Sequence, residues 1–105
     1  MSRRYLLSEP AAHDLDLIKS YLVEHAGVSV ARHVLREIRS AVQFLAANPG
    51  VGHLRDDLTD QPVKFWPVFS YLVIYNPASR PLEMLRVLHA SRDVAAILED
   101  SEEHS

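Results

Sequence analysis

The sequence predicts an α+β domain in the order β-α-α-β-β-β-α, a two-layer arrangement in which a helical hairpin packs on a mainly antiparallel sheet. Three observations predict it. Two amphipathic helical patterns follow one another across a short Gly27-Val28-Ser29 link. Three strand-like runs come next, separated by turn signals, and a short apolar stretch closes the chain. At 105 residues there is length for one such core. The expected division is a single domain over 1–98 and an acidic flexible tail over 99–105.

In chain order, Arg3 to Leu7 alternates as a short strand, with Tyr5 and Leu7 on one face and Arg4 and Leu6 on the other. Ser8-Glu9-Pro10 then opens a helix. The serine hydroxyl can accept from an orphan N–H, the glutamate suits the positive end of the dipole, and proline is tolerated in the first turn. Ala11, Leu15, Ile18, Leu22 and His25 form a narrow apolar stripe, while Asp14, Asp16, Lys19, Ser20 and Glu24 are assigned to the solvent side. Gly27 is expected to end this helix in the left-handed conformation. The second helix is expected from about Val30 to Ala47 with Ser29 as its cap. It buries Ala31, Val34, Leu35, Ile38, Ala41, Val42 and Leu45, leaving Arg32, Arg36, Glu37 and Arg39 outside. Asn48-Pro49-Gly50 stops it, because proline cannot continue a helix and glycine supplies the turn.

Residues 48 to about 62 read as a loop, long enough for a functional role to be the default. Val63 to Trp66 and Tyr71 to Tyr75 are strand-like by their β-branched and aromatic content, and Pro67 marks a turn or an edge. Asn76 to Pro81 is a hairpin loop into the last strand, Leu82 to His89. Simple alternation there puts Glu83, Leu85, Val87 and His89 on one face and Leu82, Met84, Arg86 and Leu88 on the other. Both faces are largely apolar, which places this strand inside the sheet. Asp93 to Leu98 supplies a short closing helix through Val94, Ile97 and Leu98.

Composition excludes several chemistries. With no cysteine there are no disulfides, thiolate metal sites or cysteine nucleophiles, which fits a reducing cytoplasm. The histidines at 13, 25, 33, 53, 89 and 104 contain no H-x-x-x-H pair, and no G-x-S-x-G elbow or glycine-rich phosphate loop occurs. No metal or cofactor is therefore expected. No apolar run approaches the roughly 20 residues a membrane helix needs, and no signal-peptide core is present, so no membrane association is expected. The formal charge is −3, but Glu99, Asp100, Glu102 and Glu103 lie in the last seven residues. The body is nearly neutral, which disfavours direct binding to a nucleic-acid polyanion.

Arg55, Arg86, His89 and Arg92 are the grouping best suited to an anionic or polar target. Arg86 is a guanidinium in an otherwise dry strand, and such a group needs a partner. Three uses are open. Arg86 and Arg92 can pair with Asp56, Asp57 or Asp93, tying the long loop and last helix to the sheet, which is the commonest fate of such groups; the set can recognise a target; or it can serve phosphoryl chemistry. Cleaving RNA through its 2′-hydroxyl needs a base, an acid and fixed cations, roles open to His89 and the arginines, with Tyr71 or Tyr75 as a proton relay. A second group, Leu17, Tyr21, Phe44, Trp66 and Phe69, is apolar surface beyond the main stripes and a candidate interface for a partner.

Tyr5-Leu6-Leu7-Ser8, Ala11-Ala12, Asp14-Leu15, Ile18 and Tyr21, then Asn48-Pro49-Gly50-Val51-Gly52-His53 with Arg55 and Leu58, then Tyr71-Leu72-Val73-Ile74-Tyr75, then Arg86-Val87-Leu88-His89 with Arg92-Asp93, resemble ParE-type toxins of the RelE/ParE superfamily. The resemblance covers residues 3 to about 98. It implies the toxin half of a bacterial type II toxin–antitoxin module, of the kind often called plasmid-stabilisation proteins. A cognate antitoxin, of ribbon-helix-helix type, would wrap the toxin and carry the only contact with DNA. ParE-like members are taken to inhibit DNA gyrase without catalysis, whereas RelE-like members cut mRNA on the ribosome. The scarcity of lysine and the near-neutral body favour the gyrase-directed alternative, with the ribosome-dependent, metal-independent mRNA endonuclease as the second. On the first, Arg55, Arg86, His89 and Arg92 bind the target; on the second they are the catalytic set.

Overall fold

A computed structural model describes residues 4–103. The elements are β1 (Tyr5–Leu7), α1 (Glu9–Ala26), α2 (Val28–Ala47), a 3-10 turn over Pro49–Val51, β2 (Lys64–Val68), β3 (Tyr71–Asn76), β4 (Leu82–His89) and α3 (Val94–Glu103). The expected order is the observed one. Arg3 and His104 lie outside the described residues.

The four strands form one mixed sheet in the order β1-β4-β3-β2. β4 is central, as its two apolar faces require. It runs parallel to β1 and antiparallel to β3, and β3 runs antiparallel to β2. β2 is an edge strand, which is why it tolerates Pro67.

Ser8 caps α1 by accepting from the Ala11 N–H at 3.1 Å, as its sequence position requires. The link between the helices departs from expectation. Gly27 adopts φ 96° and ψ 164°, a positive φ but not the left-handed helical conformation. Its N–H donates to the Leu22 carbonyl and its own carbonyl accepts from Ala31, so one residue both ends α1 and starts α2. The second helix therefore begins at Val28, and Ser29 lies inside it rather than capping it. At the other terminus α3 continues through Glu99 and Asp100 to Glu103, longer than the expected turn and a half.

Both sheet faces are covered. On one, Ala11 and Ile18 of α1 and Ile38, Val42 and Leu45 of α2 pack on Val73, Tyr75, Leu82, Met84 and Val87. On the other, Val94 and Leu98 of α3 join Val63, Phe65, Ile74 and Leu88, with Leu58 of the long loop against them. The alternation expected along β4 fails midway. Tyr75 pairs with Met84 and Ile74 with Arg86, so Leu85 is the extra residue of a β-bulge. The bulge puts Val87 on the same face as Leu82 and Met84, and turns Leu85 and Leu88 toward α3.

The long loop is tied down by Tyr75. Its hydroxyl accepts from the Gly52 N–H at 2.9 Å and donates to the Pro49 carbonyl at 2.8 Å. A Cβ at position 52 would lie 2.9 Å from two Tyr75 ring atoms and closer still to the hydroxyl, so glycine is needed for close approach. Tyr75→Phe leaves the buried Gly52 N–H without an acceptor and should cost about 1–3 kcal/mol in denaturant unfolding. The same variant should speed hydrogen exchange at the Gly52 amide.

Candidate functional site

The site begins where β1 ends. β1 pairs with β4 only from Leu82 to Met84, so the outer edge of β4 beyond that point needs other partners. The start of α1 supplies them. Ser8 N–H donates to the Met84 carbonyl at 3.0 Å, and its hydroxyl donates to the Leu85 carbonyl at 2.9 Å. Six residues further on, the Asp14 carboxylate accepts from the Val87 N–H at 3.0 Å. It also accepts two bonds from Arg86, Nε to Oδ2 and Nη2 to Oδ1, each 2.8 Å. Asp14 is only 3% exposed, so this is a shielded, bidentate ion pair. The bonds to Asp14 raise the Arg86 pKa above its ordinary value against the opposing effect of burial. Arg86 thus has the carboxylate partner it requires, but the partner is Asp14 and not Asp56, Asp57 or Asp93. Assigning Asp14 to the solvent side is corrected accordingly.

Asp14 closes the inner end of a groove of about 540 Å³ between α1 and the sheet. Leu17, Ile18, Tyr21 and Leu22 form the α1 wall. Facing them are the β2–β3 turn at Phe69 and Ser70, then Tyr71, and then Val87 and His89 at the end of β4. Ser91 and Arg92 complete the rim. Nδ1 of His89 accepts from the Ser91 N–H at 3.1 Å and lies 2.7 Å from the Ser91 hydroxyl. With Nδ1 accepting, the neutral ring carries its proton on Nε2 and offers an N–H to a partner. Tyr71 packs edge-on to the imidazole at 5.3 Å. Burial raises the Tyr71 phenol above its ordinary value, and Tyr21 acts in the same direction. Tyr71 therefore stays protonated at neutral pH. Arg92 makes no ion pair among the described residues.

The candidate cations are therefore divided. His89 and Arg92 share the groove, and Arg86 lies beside it, engaged by Asp14. Arg55 does not line it: the loop carrying Arg55 continues into Leu58, which packs on the α3 face of the sheet. Arg55 instead holds Asp57 through two bonds of 2.9 and 2.8 Å. These bonds raise the arginine pKa and lower that of the aspartate. The apolar candidates also divide. Leu17, Tyr21 and Phe69 line the groove, while Phe44 lies 5.6 Å from Trp66, which in turn stacks on His53 at 6.0 Å.

Phe69 is the least comfortable residue of the site. It is 60% exposed at φ +54°, a conformation a bulky side chain rarely adopts, with its ring 5.8 Å from that of His33. Among the described residues no group of three or more His, Asp or Glu gathers to hold a metal ion, and no helix is long and apolar enough to cross a membrane.

Comparison with known proteins matches this frame to one family. Residues 5–94 match the family described as ParE toxin of type II toxin-antitoxin system, parDE. The chain belongs to the ParE toxin family. Toxin ParE1 of Mycobacterium tuberculosis strain H37Rv is 34% identical over 95 residues, covering 90% of this chain and 96% of that one. Toxin ParE1 of Caulobacter vibrioides is 33% identical over 94 residues with the same coverage. Toxin ParE3 of that organism is 30% identical over 95 residues, covering 90% of this chain and 94% of that one. A solved chain described as the chromosomal ParDE TA system from P. aeruginosa has the same fold, with a TM-score of 0.68 at 22% identity. It aligns with 84% of this chain and 96% of that one. In this member of the ParE family, sequence reasoning missed Asp14 and the second role of Ser8. A signal existed: Asp14 stands three residues after Ala11 and four before Ile18, on the buried side of α1.

Asp14→Ala strands the Arg86 guanidinium and the Val87 N–H and should cost about 3 kcal/mol. Pairing it with Arg86→Met should recover part of that loss. Chemical denaturation of both single variants and the double variant measures the coupling.

Proposed function

We propose that this ParE-family toxin acts by binding DNA gyrase without chemistry of its own. Its cognate antitoxin, a ribbon-helix-helix protein that alone contacts DNA, silences it by covering the groove of Leu17, Tyr21, Phe69, His89 and Arg92 and the Phe44–Trp66 surface. The observation that carries the proposal is the division of the cations. RNA cleavage needs a base, an acid and cations converging on one phosphate. Here Arg86 is committed to Asp14, and Arg55 is held by Asp57 outside the groove. Tyr71 is held in its protonated form by burial. What remains at the groove, among the described residues, is an imidazole N–H, the Arg92 guanidinium without an ion pair, and exposed aromatic rings. That is the composition of a protein-recognition surface, where aromatic and arginine anchors carry most of the binding energy.

Expression without antitoxin tests the target. The expected result is loss of negative supercoiling and accumulation of gyrase-cleaved DNA, with translated messages intact. Codon-phased cuts in those messages would overturn the proposal in favour of the ribosome-dependent nuclease. Arg92→Ala and His89→Ala should each weaken gyrase inhibition by about tenfold or more, with little change in thermal stability.

Phe69 gives a sharper test of the binding surface. Phe69→Gly relieves the positive φ and should stabilise the isolated toxin by about 1 kcal/mol. It should at the same time weaken antitoxin binding. Thermal unfolding and calorimetric titration of the same preparation read both effects.

A further inference from the structure

The outer face of the helical hairpin carries a second groove, of about 550 Å³, that shares no lining residue with the first. Its apolar floor is Val23, Val28, Ala31 and Leu35. Its rim is Lys19, Arg32, Arg36 and Arg39, and no lining residue is acidic. None of these four cations makes an ion pair among the described residues. Asp16, Glu24 and Glu37 lie on the same two helices but outside the groove. The chain as a whole has a net charge of −3, so a one-sign rim is a local segregation of charge and not a consequence of composition.

We propose that this groove seats an acidic amphipathic helix of the cognate antitoxin. The inference rests on the toxin–antitoxin assignment above and adds a docking site and its chemistry. Arg32, Arg36 and Arg39 are spaced i, i+4, i+7 along α2, a row about 10 Å long. A helix laid alongside with Asp or Glu at the same spacing meets all three, while the apolar stripe between its acids covers Val23 and Val28. Val28, 57% exposed at the start of α2, is the apolar residue of the floor most in need of cover. A phosphate backbone would use the rim but not the floor, and four cations on a nearly neutral body are few for counterion-driven binding. The floor therefore favours a protein helix over nucleic acid.

The test uses the full chain, purified from its antitoxin complex and titrated with the antitoxin. Charge reversal in R32E/R36E/R39E lies on a solvent-facing helix surface and should leave the circular dichroism spectrum unchanged. Antitoxin affinity should fall by about 30-fold or more at low salt, and its salt dependence should flatten. R32K/R36K/R39K should stay within a few-fold of wild type, because a point charge suffices against a flexible acidic side chain. Lysine substitution of the facing antitoxin acids should restore binding to the reversed toxin. Unchanged affinity of R32E/R36E/R39E, while Y21A or F69G still weakens binding, would overturn this inference and leave the proposed function standing. Failure of any antitoxin to bind the wild-type chain would overturn both. Binding of a duplex oligonucleotide that is abolished by the triple reversal, with antitoxin affinity unaffected, would also overturn it in favour of nucleic acid.

Discussion

The structure depends on how the exposed edge of β4 is satisfied. β1 is three residues long and covers less than half of an eight-residue strand. Left alone, the rest of that edge would offer unpaired N–H and C=O groups at the centre of the molecule. The chain resolves this by letting its first helix finish what its first strand begins. Ser8 contributes a backbone donor and a hydroxyl, and Asp14 contributes a carboxylate that serves both the Val87 amide and the Arg86 guanidinium. An ion pair shielded to this degree is weak evidence of net stabilisation, since desolvation opposes it. Its greater effect is on position, because the bidentate geometry fixes where α1 sits along the sheet.

That position, together with the bulge at Leu85, decides what the groove contains. The surplus residue changes the phase of β4, so Val87 and His89 line the space beneath α1, whereas Leu85 and Leu88 serve the layer under α3. The long loop is anchored on Tyr75 and leads to Leu58 in that second layer. Arg55 is consequently separated from His89 and Arg92. Four side chains that look like one constellation in the sequence have three different environments in the fold.

Much of the architecture was legible because it follows from periodicity. The broad apolar face of α2, the Ser8 cap, the central place of β4 and the stop at Asn48-Pro49-Gly50 each have a local physical cause. What could not be read was set by distant contacts. The charge of Asp14 points to solvent while its spacing places it among Ala11 and Ile18, and only β4 explains why a carboxylate belongs there. The bulge leaves no mark in Leu82 to His89, which contains no glycine or proline. At the site, Leu17, Tyr21 and Phe69 were recognisable as surplus apolar surface. The backbone conformation of Phe69 was not, because a β-turn tolerates many residues in sequence and reveals its strain only in φ.

The single-residue connection at Gly27 has a mechanical consequence. Two long helices joined through one glycine, whose amide and carbonyl are both engaged, leave no slack for either helix to swing independently of the other. The hairpin behaves as a stiff plate resting on the sheet, pinned near one corner by Asp14. Reshaping of the groove around an incoming protein must then come from the opposite wall, the two-residue hairpin of Phe69 and Ser70. Adaptability is thereby concentrated in the segment that presents its largest exposed ring.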